Sequence, residues 1–285
     1  MHTLNLIDPA QSDIKFQLIT FPDGQPHIKI DMQNLQQENT VCRILTRISS
    51  PADLILVLFA KNTLEHLGFE KIELYISYLL AARMDRVMNE GEPFSLKVIA
   101  AVLNNAGFNK IKIFDPHSEV ATALLDKSYA IDNINFVKDV LQDYKAKNLT
   151  AGESKFCIVS PDAGALKKIY KVAAALNNIH VVECMKSRDV KTGSLTGFEV
   201  FEKDLTGKIC FIVDDICDGG GTFIGVANEL KKLGTEKIIL VVSHGIFSKG
   251  FDLQNVDEIY CTDSYKEIVK DVKSVNVISV LKYLL

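Results

Sequence analysis

Three carboxylates and three glycines stand close together in residues 210–223, which read CFIVDDICDGGGTF. Asp214, Asp215 and Asp218 follow an apolar run that is typical of a strand, and a helical pattern begins after the glycines. Glycine N–H groups at a helix N-terminus bind phosphate oxygens, whereas carboxylates bind ribose hydroxyls or Mg²⁺. The segment therefore predicts a site for a phosphorylated sugar. Its predicted phosphate-binding residues are Gly219, Gly220, Gly221 and Thr222.

Two better-known phosphate-binding loops do not fit this segment. A Walker A loop requires a lysine after its last glycine, and Thr222 stands there instead. A dinucleotide fingerprint requires a third glycine where this chain has Ile224. An ordinary strand-to-helix turn would explain the glycines, but it would not explain why three acids crowd the same turn.

The composition is that of a globular protein with a substantial core. The chain has 285 residues, of which 47% are hydrophobic and 24% are charged, and its net charge of −4 argues against a nucleic-acid partner. The longest apolar run, residues 54–60, is too short to cross a bilayer, and the N-terminus lacks the features of a secretion signal. Six scattered cysteines without zinc spacing suit a reducing compartment. We therefore expect a cytoplasmic protein that binds neither nucleic acid nor membrane.

Helical patterns alternate with short β-branched runs along the chain. Predicted helices occupy residues 51–67, 95–106, 166–176 and 222–233. Predicted strands occupy residues 71–79, 110–114, 156–159, 180–184, 208–213, 237–242 and 258–261. This alternation predicts an α/β fold with mostly parallel sheets.

A short pattern, Gly-x-x-Lys-Ile, occurs three times between a predicted helix and a predicted strand. Its copies begin at Gly68, Gly107 and Gly234. A glycine in this place suits a left-handed helix cap, and the repetition indicates a duplicated α/β unit. The polar segment 143–155 is the predicted boundary. We therefore expect an N-terminal domain at residues 1–142 and a C-terminal domain at residues 143–285.

The glycine loop resembles the PRPP-binding loop of type I phosphoribosyltransferases and of ribose-phosphate pyrophosphokinases (PRPP synthetases). The rest of the chain favours the second family, because it contains five further blocks that are similar to that family's. These blocks are ARMDR at 82–86, DPHSE at 115–119, SPDAG at 160–164, KSR at 186–188 and SHGIF at 243–247. The resemblance implies two phosphoribosyltransferase-like (type I) domains, of which the N-terminal one is abbreviated here. It also implies a homodimer or a higher homo-oligomer.

Lys186 and Arg188 follow a predicted strand and begin a segment without clear periodicity, residues 189–202. By themselves they are typical of solvated charges on a hairpin. The family, however, has a catalytic lysine and arginine with the same Lys-x-Arg spacing in a flexible segment. The resemblance therefore implies that this pair stabilises charge on the transferred group. It also implies that His117 and Asp162, each after a predicted strand, bind Mg²⁺.

The resemblance further implies an ATP site in the first half of the chain. Arg83 and Arg86 flank Asp85 in a loop after a predicted strand, and paired guanidiniums suit triphosphate oxygens, although a surface Arg–Asp network is the plain alternative. Met84 replaces the usual glutamine of this block. Other implied ATP contacts are His117 and the segment Phe21, Asp23 and Gln25, which resembles an adenine-binding Phe-x-Asp-Gly-Glu supplied by a neighbouring subunit. The amide in place of the glutamate both donates and accepts, so selectivity for adenine is weaker.

The implied reaction is Mg²⁺-dependent transfer of the β,γ-pyrophosphoryl group of ATP to the 1-hydroxyl of ribose 5-phosphate, which gives PRPP and AMP. Gly219 departs from the family loop, which usually has threonine or serine there and donates its hydroxyl to the 5′-phosphate. Glycine removes this donor and opens space for a larger 5′-substituent. ADP-ribose is therefore a second candidate acceptor, and its pyrophosphorylated product would serve NAD salvage.

Two other functions are compatible with parts of the sequence. A PRPP-using phosphoribosyltransferase would explain the glycine loop, but not the blocks around Arg83, His117 and Lys186. A non-catalytic regulatory relative would be expected to lack the catalytic lysine or the loop acids, and both are present. Formation of AMP from ATP and a sugar phosphate separates these functions from the synthetase reaction.

Overall fold

The computed structural model describes residues 1–32, 41–148, 155–188, 195–268 and 274–285. The chain divides into two compact units. Unit 1 comprises Met1–Asp132, Ser264–Lys266 and Val280–Leu285, and unit 2 comprises Asn133–Asp263 and Glu267–Ser279.

Unit 1 is built on a parallel sheet of five strands. They are β1 (His2–Asn5), β4 (Val41–Ile48), β5 (Lys71–Leu79), β6 (Lys110–Phe114) and β7 (Ser128–Ile131), and they lie in this order across the sheet. Two further strands, β2 (Phe16–Thr20) and β3 (Pro26–Ile30), form a separate antiparallel hairpin. The helices of this part are a 3-10 turn (Pro9–Gln11), α1 (Pro51–His66), α2 (Ser95–Ala106) and α3 (Glu119–Leu124).

Unit 2 is built on a sheet of seven strands. They are β8 (Phe156–Ser160), β9 (His180–Arg188), β10 (Leu195–Val200), β11 (Ile209–Cys217), β12 (Lys237–Gly245), β13 (Glu258–Thr262) and β14 (Val275–Ile278). Their order is β10-β9-β8-β11-β12-β13-β14, and only the edge pair of β9 and β10 is antiparallel. The helices are α4 (Ile134–Lys147), α5 (Leu166–Ala175) and α6 (Gly221–Lys232), and α7 (Leu281–Leu284) belongs to unit 1.

The connections of the second sheet run in opposite directions from its middle. From β8 the chain passes through α5 to β9 on one side, and from β11 it passes through α6 to β12 on the other. The sheet order therefore reverses between β8 and β11. In open α/β sheets, such a switch point at the carboxyl ends of the strands is where ligands bind.

The predicted α/β fold with mostly parallel sheets is confirmed. β5, β6 and α2 have the predicted bounds. The three glycines of the repeated pattern adopt left-handed conformations after their helices, with φ of 85° at Gly68, 72° at Gly107 and 85° at Gly234. Within the described ranges, no helix combines the length and the apolar character that a bilayer crossing requires.

The two units do not follow the predicted domain bounds. The predicted boundary between residues 142 and 143 falls inside α4. This helix continues through the boundary, and its residues Val137, Val140 and Tyr144 form a buried face at helical spacing. Residues 149–154 of the predicted linker lie outside the described residues. The C-terminal segment Val280–Leu285 belongs to unit 1, where the ring of Tyr283 stacks on Phe114 with 5.7 Å between centroids.

Candidate active site

Asp214 and Asp215 lie inside β11 rather than after it, so the predicted end of this strand at Val213 is wrong. The strand is longer because β12 continues to pair with it as far as Cys217, whereas β8 pairs with it only as far as Ile212. Both acids therefore lie beyond the end of β8, at the switch point of the sheet. Asp215 is buried and Asp214 is partly buried.

The surroundings of Asp214 disfavour its charged form. Its pKa is raised well above the ordinary carboxyl value, first by burial, then by the charge of Asp215 and more weakly by that of Asp162. The N–H of Asp215 donates to Oδ1 of Asp214 at 2.9 Å, which offsets part of this cost. A cation or several hydroxyl donors would stabilise the ionised group, which suits a site for Mg²⁺ or for a ribose.

The glycine loop joins β11 to α6 through a left-handed residue. Gly220 is the N-cap of α6 with a φ of 75°, and a Cβ atom there would lie only 2.3 Å from Cδ2 of Leu253. Both constraints require glycine at this position. Because Gly220 has no side chain, it leaves the N–H groups of the first helical turn uncapped, and such groups bind anions.

Asp162 and Lys186 form a direct ion pair at the ends of two neighbouring strands. Lys186 Nζ donates to Oδ2 of Asp162 at 2.6 Å. The other carboxylate oxygen of Asp162 accepts the N–H of Ala165 at 3.1 Å, and the Ser160 hydroxyl donates to the Asp162 carbonyl at 3.0 Å. The turn after β8 thus orients this carboxylate towards the lysine.

The expectation that Lys186 and Arg188 lie past a strand is wrong. β9 continues to Arg188, because β10 pairs with it as an antiparallel hairpin in which Phe198 stands opposite Lys186. The predicted irregular segment therefore contains a strand, Leu195–Val200, and its residues 189–194 lie outside the described residues. Strand pairing, rather than local hydrophobic pattern, extends β9 through polar residues.

Sequence reasoning missed the contact between this hairpin and α6. A Cβ atom at Gly225 would lie 2.0 Å from the ring of Phe198, so the aromatic side chain packs directly on the helix backbone. The β9–β10 hairpin that contains Lys186 is thereby docked on the helix that follows the glycine loop. A glycine in the middle of a predicted helix was the available sequence signal.

The predicted ATP-binding residues all lie in unit 1. β5 and β6 are parallel neighbours, and Arg83 follows the first whereas His117 follows the second, so both lie at the same edge of the sheet. Arg83, Arg86 and His117 are exposed. The Met84 N–H donates to the Ala81 carbonyl at 2.9 Å, and the Met84 carbonyl accepts the N–H of Leu96 at 3.2 Å. Asp85 lies in this loop and is partly exposed.

The remaining ATP residues form the exposed tip of the β2–β3 hairpin. The N–H of Phe21 donates to the Gln25 carbonyl at 2.9 Å, and the N–H of Gln25 donates to Oδ1 of Asp23 at 3.1 Å. The Phe21 ring is 41% exposed and lies 5.4 Å from the ring of His27. The tip therefore presents an aromatic face beside polar groups, as a base-binding element requires.

The cysteines lie in the hydrophobic core and are not candidates for catalysis. All six are free and buried. Burial raises the pKa of the Cys217 thiol to about 12, with a smaller contribution from the nearby Asp214 and Asp218. A thiol with so high a pKa is a poor nucleophile at neutral pH.

Comparison with known proteins identifies the family. The phosphoribosyl transferase domain family matches residues 130–280, which is more than half of the chain. The ribose-phosphate pyrophosphokinase of Mycoplasmopsis pulmonis is 31% identical over 249 residues, which cover 85% of this chain and 75% of that protein. That of Sulfurisphaera tokodaii is 31% identical over 259 residues, which cover 90% and 83%. The chain belongs to the ribose-phosphate pyrophosphokinase family.

The fold agrees with this membership. A crystal structure of phosphoribosylpyrophosphate synthetase from Mycobacterium smegmatis matches with a TM-score of 0.79 and covers 96% of this chain and 89% of that one, at 20% identity. The predicted family, fold class and enzyme class of this pyrophosphokinase-family chain are thereby confirmed. Its individual site residues and its acceptor stay predictions.

Proposed function

We propose that the protein transfers the β,γ-pyrophosphoryl group of ATP to the 1-hydroxyl of ribose 5-phosphate, giving PRPP and AMP. Its relatives, named ribose-phosphate pyrophosphokinases, support this class of reaction. One observation carries the proposal for this chain: Lys186, Asp162 and Asp214 all lie at the carboxyl ends of neighbouring strands, β9, β8 and β11.

The reaction forms one bond and breaks one bond at phosphorus. The anomeric oxygen attacks the β-phosphorus of ATP, and the bond from that phosphorus to the α,β-bridging oxygen breaks. AMP leaves with the electron pair, and the hydroxyl proton passes to water. Catalysis of such a transfer depends mainly on positioning and on stabilising charge at the phosphoryl oxygens.

The side chains have distinct proposed roles. Asp214, Asp215 and Asp218 accept hydrogen bonds from the ribose hydroxyls. The N–H groups of Gly219, Gly220, Gly221 and Thr222 bind the 5′-phosphate at the N-terminus of α6. Lys186 and Arg188 donate to the transferred group as its charge develops.

Mg²⁺ suits the donor set of this site. Over the described part of the chain, no three His, Cys, Asp or Glu side chains meet as a complete metal cage. Mg²⁺ does not require one, because it usually binds one or two carboxylates together with water and substrate phosphates. We assign Asp162 to this role, and His117 of unit 1 on the family resemblance. When bound, the ion would neutralise charge on the ATP phosphates.

ATP binding is assigned to unit 1. Arg83 and Arg86 would bind triphosphate oxygens, with Met84, Asp85 and His117 beside them. The exposed hairpin tip of Phe21, Asp23 and Gln25 would bind the adenine of a neighbouring subunit in a homodimer or a larger homo-oligomer. Exposure of the Phe21 ring supports this assignment, because an apolar ring gains most when a partner or a base covers it.

ADP-ribose is the alternative acceptor, and Gly219 is the observation that favours it. The loop lacks a hydroxyl at this position, so it has lost a donor that a terminal phosphate would use. The product would be ADP-ribose pyrophosphate, which would serve NAD salvage.

The test is the analysis of products from ATP with each acceptor, separately and in competition, with and without EDTA. We expect Mg²⁺-dependent formation of AMP and PRPP from ribose 5-phosphate. A strong preference for ADP-ribose would assign the alternative acceptor. Release of pyrophosphate from PRPP without AMP formation would indicate a phosphoribosyltransferase, and absence of any turnover would indicate a regulatory relative.

A further inference from the structure

The stem of Lys249 lies where the missing side chain of residue 219 would begin. A Cβ atom built on Gly219 would lie 3.5 Å from both Cδ and Cε of Lys249, and these are its nearest neighbours. Such distances are ordinary van der Waals contacts, and the backbone of Gly219 is not left-handed. Glycine at 219 is therefore required neither by conformation nor by crowding, in contrast to Gly220.

The turn that contains Lys249 is anchored to the end of β11. The N–H groups of Ile246 and Phe247 both donate to the carbonyl of Cys217, at 2.9 and 3.1 Å. The N–H of Gly250 donates to the carbonyl of Phe247 at 3.0 Å, which closes the turn around residue 249. Phe247 is buried. Its packing places the lysine backbone beside the glycine loop.

The ammonium group of Lys249 is available for a ligand. The side chain is exposed, and Nζ forms no hydrogen bond, ion pair or ring contact with the residues that the structure describes. Residues 214–222 contain three acids and no lysine or arginine. A phosphate bound there would meet carboxylate repulsion without a cation of the loop itself, so a neighbouring cation would add affinity.

We propose that Lys249 binds the 5′-phosphate of the acceptor, in place of the hydroxyl that Gly219 lacks. This inference rests on the proposed function and makes it more specific. A terminal phosphate monoester is close to a dianion at neutral pH, whereas each phosphate of a diphosphate ester has a single charge. An ammonium group therefore favours ribose 5-phosphate over ADP-ribose.

The test variant removes the ammonium charge of Lys249 and keeps an unbranched side chain. Lys249→Met should raise the KM for ribose 5-phosphate by about tenfold or more, as loss of a charged hydrogen bond does. The kcat and the KM for ATP should stay within about twofold of wild type, because neither depends on this contact. Lys232→Met is the matched control, since it removes the same charge at the far, exposed end of α6. An unchanged KM for ribose 5-phosphate in Lys249→Met would overturn the proposal.

A second variant distinguishes a lost contact from a general disturbance. Adding Gly219→Ser to Lys249→Met restores a hydroxyl donor and should recover at least about threefold of the lost affinity. The same substitution in wild type should have a smaller effect, because the lysine already binds the phosphate. Equal effects in both backgrounds would contradict a shared role.

Calorimetric binding of ribose 5-phosphate separates this proposal from the proposed function. If wild type binds the sugar phosphate but forms no AMP, the proposed function fails. The role of Lys249 is then tested by comparing the affinities of wild type and Lys249→Met for ribose 5-phosphate. Weaker binding by Lys249→Met then supports the assignment, and equal binding overturns it. If wild type neither binds nor reacts, both proposals are overturned.

Discussion

The ammonium group of Lys186 lies 2.6 Å from Oδ2 of Asp162, with the two side chains 22% and 28% exposed. One member of the pair is the proposed catalytic cation, and the other is the proposed metal ligand. Because both groups are partly exposed, water can solvate the remaining partner when one is removed, so the loss of the pair should destabilise the fold only modestly. Its removal should therefore affect the reaction much more than stability.

Lys186→Ala should leave the fold intact and lower kcat by about a hundredfold or more, as loss of one transition-state donor does. AMP formation under saturating substrates measures the effect, and circular dichroism monitors the fold. Lys203→Ala, at an exposed position between β10 and β11, removes the same charge as a control. Turnover of Lys186→Ala near the wild-type rate would exclude the lysine from this role.

Gly225→Ala should destabilise the protein although alanine is the better helix former. In an open helix this change is favourable by about 1 kcal/mol, but here the new Cβ atom would lie 2.0 Å from the ring of Phe198. In a Phe198→Ala background the obstacle is absent, so the same change should become stabilising. Urea unfolding of wild type, the two single variants and the double variant measures whether Gly225→Ala raises or lowers the free energy of unfolding in each background. Stabilisation by Gly225→Ala in both backgrounds would disprove the close contact between hairpin and helix.

Gly219→Ala and Gly220→Ala should differ sharply although the residues are adjacent. Alanine at 219 fits its surroundings and should be neutral or stabilising by up to about 1 kcal/mol. Alanine at 220 must adopt a φ of 75° and displace Leu253, and the backbone conformation alone costs about 1–2 kcal/mol. The free energies of unfolding test this contrast. Similar values for the two variants would contradict the loop geometry.

The stability of the protein should depend on pH through Asp214. Its pKa is raised in the folded state, so the folded protein retains a proton that the unfolded chain releases near the ordinary value of 3.8. The stability that this group contributes is therefore lost as the pH rises from about 4 towards the raised pKa. Above that pKa, the contribution of Asp214 to the free energy of unfolding no longer changes with pH. In EDTA, Asp214→Asn should stabilise the protein increasingly over this range.

The exposed Asp252 supplies the control for this titration, since Asp252→Asn removes one carboxylate of the same unit from a solvated position. Unfolding free energies measured at a series of pH values compare the two variants with wild type. A gain for Asp214→Asn that does not grow with pH would show that the carboxylate is not strained in the free protein.

The parts of the site that depend on local pattern were predictable. β5 and β6 were predicted residue for residue, since each is a short apolar run between a glycine cap and a polar loop. The acids and glycines of residues 214–222 were assigned to the carboxyl-terminal side of the right strand, although β11 extends to Cys217 and so contains Asp214 and Asp215. The resemblance of the sequence blocks indicates the family without reference to any tertiary contact.

The sequence by itself determined the parallel α/β elements, the left-handed caps and the glycine loop with its neighbouring acids, because apolar period, glycine and charge act over a few neighbouring residues. Only the tertiary structure decided that β9 extends through Lys186, that Phe198 packs on Gly225 and that Lys249 covers Gly219. The residue pairs in these contacts, Lys186 with Phe198, Phe198 with Gly225 and Gly219 with Lys249, are each more than ten positions apart in sequence, and their energies come from strand pairing and side-chain packing. No local pattern records such partners, so the folded chain was needed to identify them.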